Sequence, residues 1–493
     1  MTLSKSNFVL FKSCPKHLWL HLNNPEEEEI SATAETNIKE GKQVGDLAKS
    51  YFDNTVDATS FKEDGSLDFE NMIGLTNRYL MDGDKVIAEA TFSINGLFCS
   101  VDLLKPVNDG YEIYEVKATT SIEDKHIFDV AFQKHVLELK GLKINKTYIL
   151  YLNKGYCRHG DIEVRKLLKA EDISCNSKFL LAYKDIKDDI LAANDILNKK
   201  KEPKALLSST CSDCPFKKHC FKEAPFPSVL DLQGSYIDRY GLYNSGVISF
   251  QDVLNSGTKL TRFQRNQIEA YLNNLTVIID KNDVTSFLGQ IKYPIYHLDF
   301  ETIKLAVPPC DNAHPHDQIP TQYSLHIEYA DGRVDHKEFL GDSVDPRRAI
   351  AESLCNNIPE NSCVLAFNKS FENRCLIGLA NLFPDLKDHL ANLASNLQDL
   401  AVPFQKGYFY HKDMWNRYSI KSVLPALCPN DPELDYHALP VVHNGGEAMD
   451  IYPKMLEAEP EEKERIRKGL SQYCCLDTYA MVKILRRLKE ETR

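Results

Sequence analysis

Cys211-Ser-Asp-Cys214-Pro-Phe-Lys-Lys-His-Cys220 closes one half of the chain and introduces the other, and the rest of the sequence is placed relative to it. Its three cysteines follow a C-x2-C-x5-C spacing. A metal or iron–sulfur site normally takes four protein ligands, so a fourth thiolate has to come from elsewhere. Cys14, in Phe11-Lys-Ser-Cys14-Pro-Lys16, is the best candidate, and its use would staple the first half end to end. Pro15 follows Cys14 and Pro215 follows Cys214, which is turn chemistry suited to wrapping backbone around a cluster.

With 493 residues, 43% of them hydrophobic and 26% charged, the composition is that of an ordinary globular protein of roughly two to four domains. The start of the chain lacks a basic segment followed by an apolar run and a cleavage site. No later stretch offers about 18 consecutive apolar residues, so a cytoplasmic location is expected. In such a chain, fourteen cysteines are expected to be reduced thiols and metal ligands rather than disulfides. Cys363, in Cys363-Val-Leu-Ala-Phe367, reads as a small buried hydrophobe. The net charge of -12 speaks against a generic nucleic-acid coat. It leaves room for an enzyme that holds divalent metals with carboxylates and meets nucleic acid through local basic patches.

In the first half, helices are expected at His17 to Leu22 and Gly41 to Phe52, with Glu26 to Glu29 a solvated acidic run. Val86 to Phe92, Leu97 to Leu104 and Tyr111 to Lys117 alternate as strands, and Asn108-Asp109-Gly110 is a hairpin signal between the last two. A reversal there sets Asp102 opposite Glu115 or within a residue or two of it, and Glu115 and Lys117 share a face. Taken alone, this is more simply an exposed ion pair. Two carboxylates and a lysine on one face are nevertheless expensive unless paired or bound to metal. Phosphodiester hydrolysis gives them a use: Asp102 and Glu115 would hold Mg²⁺ or Mn²⁺, and Lys117 would orient water or stabilise charge on the phosphate. The following helix, Phe128 to Glu138, brings Gln133 within reach.

Cys14, Asp102, Glu115-Val-Lys117, Gln133, Cys211, Cys214 and Cys220, in this order, resemble the RecB-like branch of the PD-(D/E)xK nucleases that carries a four-cysteine cluster. The CRISPR-associated adaptation nucleases belong to that branch. The resemblance implies a restriction-endonuclease-like α/β domain over 1–225, with a [4Fe–4S] cluster on Cys14, Cys211, Cys214 and Cys220. Four thiolates also suit zinc. The family's helix histidine has no counterpart in Gly41-Lys-Gln-Val44-Gly45, which makes Glu89 a substitute metal ligand. Leu137 stands where the family's glutamine motif ends in an aromatic residue.

Residues 226–290 read as a helical connector. Lys259, Arg262 and Arg265 there suit either a small phosphate-facing module or a plain spacer with a solvated face. In the second half, Tyr293-Pro-Ile-Tyr-His297-Leu-Asp299-Phe-Glu301-Thr302 is an apolar strand with two acids at i and i+2, hence on one side. Gln322 to Tyr329 and Val334 to Leu340 flank Asp331-Gly332 as a second hairpin, and Cys363 to Glu372 is a strand running into a helix. In the last helix, about Glu461 to Glu490, Tyr473 and Asp477 share a face.

Asp299 with Glu301, Asn368 to Glu372, and Tyr473 with Asp477 resemble the three motifs of the DEDD exonucleases of RNase H-like fold, in the branch whose third motif is Tyr-x3-Asp. His297 to Thr302, Gln322 to His326 and Tyr418-Ser-Ile-Lys421-Ser-Val-Leu424 resemble an uncharacterised bacterial family in which this domain follows the RecB-like one. The resemblance covers 291–493 and implies two Mg²⁺ or Mn²⁺ ions held by Asp299, Glu301, Glu372 and Asp477, with Tyr473 positioning the water. Glu372 stands where the family has Asp, and Asp399 is a possible extra ligand. A two-site nuclease acting on DNA, with 3′–5′ exonuclease activity, is therefore expected. An RNA-trimming exonuclease and an iron–sulfur nucleic-acid-binding scaffold with degenerate sites are the alternatives.

Overall fold

The computed structural model describes residues 2–492 apart from 30, 31, 235 and 430, and the side chains of these except 32–34. The protein is α/β and divides into two compact units. One comprises Met1–Lys222 with Leu305–His316, the other Glu223–Lys304 with Asp317–Arg493.

The first unit is built on a mixed seven-stranded sheet of β1 (Leu3–Ser4), β2 (Thr55–Asp57), β3 (Val86–Ile94), β4 (Leu97–Val107), β5 (Gly110–Lys117), β6 (Ile144–Leu152) and β7 (Leu168–Asp172). The order is β2-β3-β4-β5-β6-β7, and β1 runs parallel to the start of β4. Asn108 and Asp109 turn β4 into β5, with Val107 opposite Gly110. Only glycine fits at that end, because a Cβ on Gly110 would run into the carbonyl of Lys143. Strand alternation sorts the sheet's side chains into two cores. Leu104, Ile113 and Ile149 join α1 (Lys5–Ser13), α3 (Asp124–Leu139) and α4 (Ser177–Leu197), with α2 (Phe69–Asp82) on the same layer. Leu103, Tyr114, Leu150 and Leu152 line the other. Phe8 of α1 stacks on Phe132 of α3 at 5.0 Å.

The helix expected over Gly41 to Phe52 runs instead over Ala32–Ala48. Tyr51 and Phe52 leave it because their rings pack elsewhere, edge to face with each other and, for Phe52, with Tyr114, both at 5.0 Å.

The second unit contains β8 (Val277–Ile279), β9 (Ile295–Lys304), β10 (Gln318–Glu328), β11 (Val334–Leu340), β12 (Cys363–Ala366), β13 (Leu397–Asp399) and β14 (Phe409–His411). Five of them form a sheet in the order β11-β10-β9-β12-β13, and β8 pairs with β14. β10 is antiparallel to both neighbours, while β12 is parallel to β9 and to β13. Tyr296, Leu298 and Phe300 of β9 and Tyr323, Leu325 and Ile327 of β10 form the core with α5 (Arg347–Asn357), α6 (Ser370–Leu382) and α7 (Lys387–Ser395). The opposite face carries His297, Asp299 and Glu301 against Gln322, Ser324, His326 and Glu328.

A helix covers that polar face. After α8 (Ile420–Leu427) and α9 (Gly445–Glu457), α10 (Pro460–Thr492) buries Ile466, Leu470, Tyr473, Asp477, Ala480, Ile484 and Leu488. That three-and-four spacing is one helical stripe, which is why Tyr473 and Asp477 face the sheet. Gln322 Nε2 donates to the Leu470 carbonyl at 3.1 Å and Arg486 Nε to Glu328 Oε1 at 2.8 Å, fastening the helix along its length.

The helices of 226–290 pack within this unit: Phe263 meets Tyr410 edge to face at 5.2 Å, and Asn266 Nδ2 donates to the Gly407 carbonyl at 2.9 Å. Arg262 is committed to Asp280 and Asp283, at 2.7 Å each. Cys363 is only half-buried, whereas Val364, Leu365 and Ala366 after it are fully buried. No helix among the described residues is long and apolar enough to cross a membrane.

Candidate functional site

In the first unit the hairpin register brings Asp102 across from Glu115, and Val116 N–H donates to Asp102 Oδ2 at 2.6 Å. Lys117 Nζ donates to Glu115 Oε1 at 2.6 Å and to Asp129 Oδ2 at 2.8 Å. Gln133 Nε2 donates to Glu115 Oε2 at 2.7 Å and to Asp129 Oδ1 at 2.8 Å. Lys5, at the start of α1, lies 3.2 Å from Glu115, 3.9 Å from Asp129 and 4.0 Å from Asp102. Two ammonium groups thus face three carboxylates. Burial, then the charges of Asp102 and Asp129, push Glu115 up to about 8. Burial would raise Asp129 too, but Lys5 and Lys117 outweigh it and hold that carboxyl low. Glu89 lies on β3, with φ 55, between the residues that pair with Leu103 and Val101. Burial raises its carboxyl, and its charge acts on Asp102.

In the second unit Asp299 and Glu301 project from β9 under α10, which supplies Tyr473 and Asp477, while Glu372 comes from the first turn of α6. Burial raises all four carboxyls, with neighbouring acids adding to it for Asp299, Glu301 and Glu372. Glu372 reaches about 8 and Asp477 about 6. The Tyr436 hydroxyl donates to Asp477 Oδ1 at 2.6 Å, and Tyr473 also hydrogen-bonds this carboxylate. Lys421 Nζ sits 4.9 Å from the ring centroids of both tyrosines, and its charge acts on Glu301 and Asp477. The Cys474 thiol donates to Asp299 Oδ2 at 3.7 Å. Among the described residues, buried Glu372 Oε2 has no hydrogen-bond partner. Asp399 Oδ1 accepts from the Asn368 and Ala401 N–H groups, at 2.9 Å each, and holds Asn368 at φ 66 where β12 turns into α6. The start of α9 faces the acids: a Cβ on Gly445 would stand 3.8 Å from Glu301 Oε2 and 4.0 Å from the Tyr473 hydroxyl. A helix N-terminus there favours negative charge.

Residues 296–419 match the family described as a domain of unknown function, DUF2779. That stretch holds Asp299, Glu301 and Glu372 and stops before Tyr473 and Asp477. Over 217 residues, 40% of its length, the chain is 26% identical to an uncharacterised protein of Mycoplasma genitalium. It spans about a third (32%) of that relative's length.

Cys14 stands where α1 ends and the helix Pro15–Asn23 begins, Cys211 is in the turn Ser209–Ser212, and Cys220 is in the helix Lys217–Phe221. Burial raises Cys214 and Cys220, and the charges of Cys14 and Cys211 act on both. Ser208 N–H donates to Cys211 Sγ at 3.4 Å, and the Phe216 N–H bonds Cys214. Among the described residues, none of the fourteen cysteines is in a disulfide.

Sequence reasoning missed Lys5, Asp129, Tyr436, Lys421's charge and Cys474. Asp129 had a signal, since it lies four residues before Gln133 on the same helix face. Lys5 had none.

Proposed function

We propose that the protein is a metal-dependent nuclease with two phosphodiesterase sites, and that the α10-covered acid cluster is a 3′–5′ exonuclease site. The observation that carries this reading is the convergence of four carboxyls beneath α10, Glu372 and Asp477 buried and Asp299 and Glu301 half-buried, with Glu372 Oε2 left unpartnered among the described residues. Each buried ion costs several kcal/mol in the absence of compensation. Two like charges about 4 Å apart add roughly 4 kcal/mol at an effective dielectric of 20. Lys421, whose charge acts on Glu301 and Asp477, and Arg374, whose charge acts on Glu372, are set against four carboxyls. The four acids offer oxygen donors, which suit Mg²⁺ or Mn²⁺, and the Cys474 sulfur lies within 4.8 Å of the Asp299 and Glu301 oxygens beside them. Such ions, when bound, supply charge stabilisation and a metal-activated water for phosphodiester hydrolysis.

The chain's own groups divide the remaining work. Tyr436 and Tyr473 orient Asp477, and the Tyr473 hydroxyl, also close to the start of α9, is placed to hold a water or phosphate oxygen. Lys421 offers positive charge at the edge of the cluster. The RNase H-like reading of this unit, with the DEDD motif resemblance, supplies the polarity and the preference for DNA.

The first unit is read as the RecB-like, restriction-endonuclease-like domain. Asp102, Glu115 and Glu89 would hold a divalent metal, and Lys117 would meet the scissile phosphate. Lys5, Asp129 and Gln133 position these groups, since each of them bonds Glu115, Lys117 or both. Cys14, Cys211, Cys214 and Cys220 would carry a [4Fe–4S] cluster. The four-thiol set and the N–H bonds to Cys211 and Cys214 fit that group, because such bonds tune cluster sulfurs.

The test is purified protein on end-labelled single-stranded DNA, duplex DNA and RNA with Mg²⁺, Mn²⁺ or EDTA. The proposal expects Mg²⁺-dependent trimming of single-stranded DNA that Asp299→Ala abolishes. Absence of cleavage on every substrate with either metal would overturn it, and RNA as the sole substrate would correct the substrate class.

A further inference from the structure

Consecutive residues of a helix project roughly 100° apart, so Cys474 and Cys475 of α10 serve different surroundings. Cys474 faces Asp299. Cys475 faces the outer strands, where a nitrogen of His326, a nitrogen of His336 and its own sulfur all lie within 4.8 Å of one another. His326 on β10 and His336 on β11 are cross-strand partners, so both rings stand on the face under α10, with centroids 4.5 Å apart. One hairpin and a helix distant from it in sequence thus deliver two imidazoles and a thiol to one point.

The hydrogen bonds around the rings decide which nitrogens are available. His326 Nδ1 is 2.7 Å from Thr478 Oγ1, His336 Nε2 is 3.0 Å from Ser324 Oγ, and the two hydroxyls are 2.7 Å apart. Thr478 Oγ1 is also 3.1 Å from the Cys475 carbonyl, which can only accept. The donors therefore run one way. His336 Nε2–H donates to Ser324, Ser324 to Thr478, His326 Nδ1–H to Thr478, and Thr478 to the carbonyl. Every hydroxyl is satisfied, and each ring keeps its other nitrogen as a lone pair. Imidazoles whose second N–H is fixed by a hydrogen-bonded partner are the form that ligates metal.

We propose that His326, His336 and Cys475 form a metal site separate from both acid clusters and from the four-cysteine group, with zinc its natural occupant. Two nitrogens and a sulfur suit zinc's tetrahedral preference, and the carboxylate-selecting ions are poorly served by them. The fourth position belongs to water or to Glu338, exposed on β11, whose charge acts on both His336 and Cys475. The ion would tie α10 to the sheet two residues from Asp477 and from Tyr473, and the inference does not depend on the nuclease reading.

Metal-stripped full-length protein titrated with Co²⁺ tests this through thiolate-to-cobalt charge-transfer absorption. One such component should vanish in both Cys475→Ser and His336→Ala and persist in Cys474→Ala and in Cys211→Ser. Thr478→Val, which removes the outer hydrogen bond, should weaken zinc binding by roughly 10–100-fold. His336 is exposed, so His336→Gln provides a folded control whose circular dichroism should match wild type while its zinc stoichiometry falls by one. Survival of the whole absorption in both Cys475→Ser and His336→Ala, or unchanged zinc stoichiometry in His336→Gln, overturns the site.

Discussion

Changing Glu372 to glutamine should stabilise the metal-free protein at pH 8, although it removes a proposed metal ligand. Burial, followed by the charges of Asp399 and Asp477, lifts this carboxyl from 4.5 to about 8. In the unfolded chain it ionises near its ordinary value of about 4.3. Between those values the folded protein keeps a proton that the unfolded chain has released, so stability falls as pH rises. At about 1.36 kcal/mol per unit, the interval is worth about 4–5 kcal/mol from this group. Glutamine has no such proton. Wild type and Glu372→Gln should therefore melt together near pH 4.5 and differ by about 4 kcal/mol at pH 8, on the order of 10 °C for a domain of this size. Thermal unfolding followed by circular dichroism in EDTA across that range measures it, with Mg²⁺ restoring the wild type more than the variant. The reasoning fails if Glu372→Gln melts no higher than wild type at pH 8 in EDTA, or if the difference does not grow with pH.

Mg²⁺ affinity at the second site should rise from pH 5.5 to 8.5, because ions replace protons on Asp477 and Glu372, which leave near about 6 and 8. Calorimetry in buffers of different ionisation enthalpy would count the protons released. Lys117→Ala in an Asp299→Ala background should abolish residual cleavage while leaving metal binding largely intact, whereas Asp102→Ala should weaken the binding itself; equal cleavage in all three proteins would make the hairpin structural. Tyr473→Phe should lower the rate without lowering metal affinity, and Asp477→Asn should lower both. Double changes among the four acids should cost little more than single ones, as residues acting as a unit are non-additive. Protein purified without oxygen should be brown and lose colour and stability when Cys14 or Cys220 becomes Ser; a colourless protein with one equivalent of zinc there would refute the cluster.

Much of this arrangement was readable where one element carries the information. Asn108-Asp109-Gly110 fixes the register that sets Asp102 against Glu115, and the spacing of Asp299 and Glu301 on an apolar strand fixes their shared face. Groups whose position depends on distant pairing were not readable. Lys5 reaches the acids because β1 pairs with Leu97 and Phe98 of β4. Tyr436 reaches Asp477 from a three-residue turn with no periodicity to announce it. β8, three residues long, is too short for an alternating pattern, so 226–290 read as helical throughout. The helix over Gly41 to Phe52 was misplaced because apolar spacing does not reveal whether Tyr51 and Phe52 prefer the helix face or Tyr114.

α10 behaves as a keyed shaft. Four successive attachments, Leu470 to Gln322, Cys474 to Asp299, Asp477 to Tyr436 and Thr478 to His326, are indexed to one rotation of the helix. An inserted or deleted residue between Leu470 and Cys474 would turn everything beyond it by about 100°, presenting Cys475 or Tyr473 where Cys474 now meets Asp299. Drift along this segment is therefore confined to substitutions on the outward face. When relatives are compared, an unbroken count of residues from Leu470 to Thr478 is a stricter criterion of shared chemistry than the identity of any single residue within it.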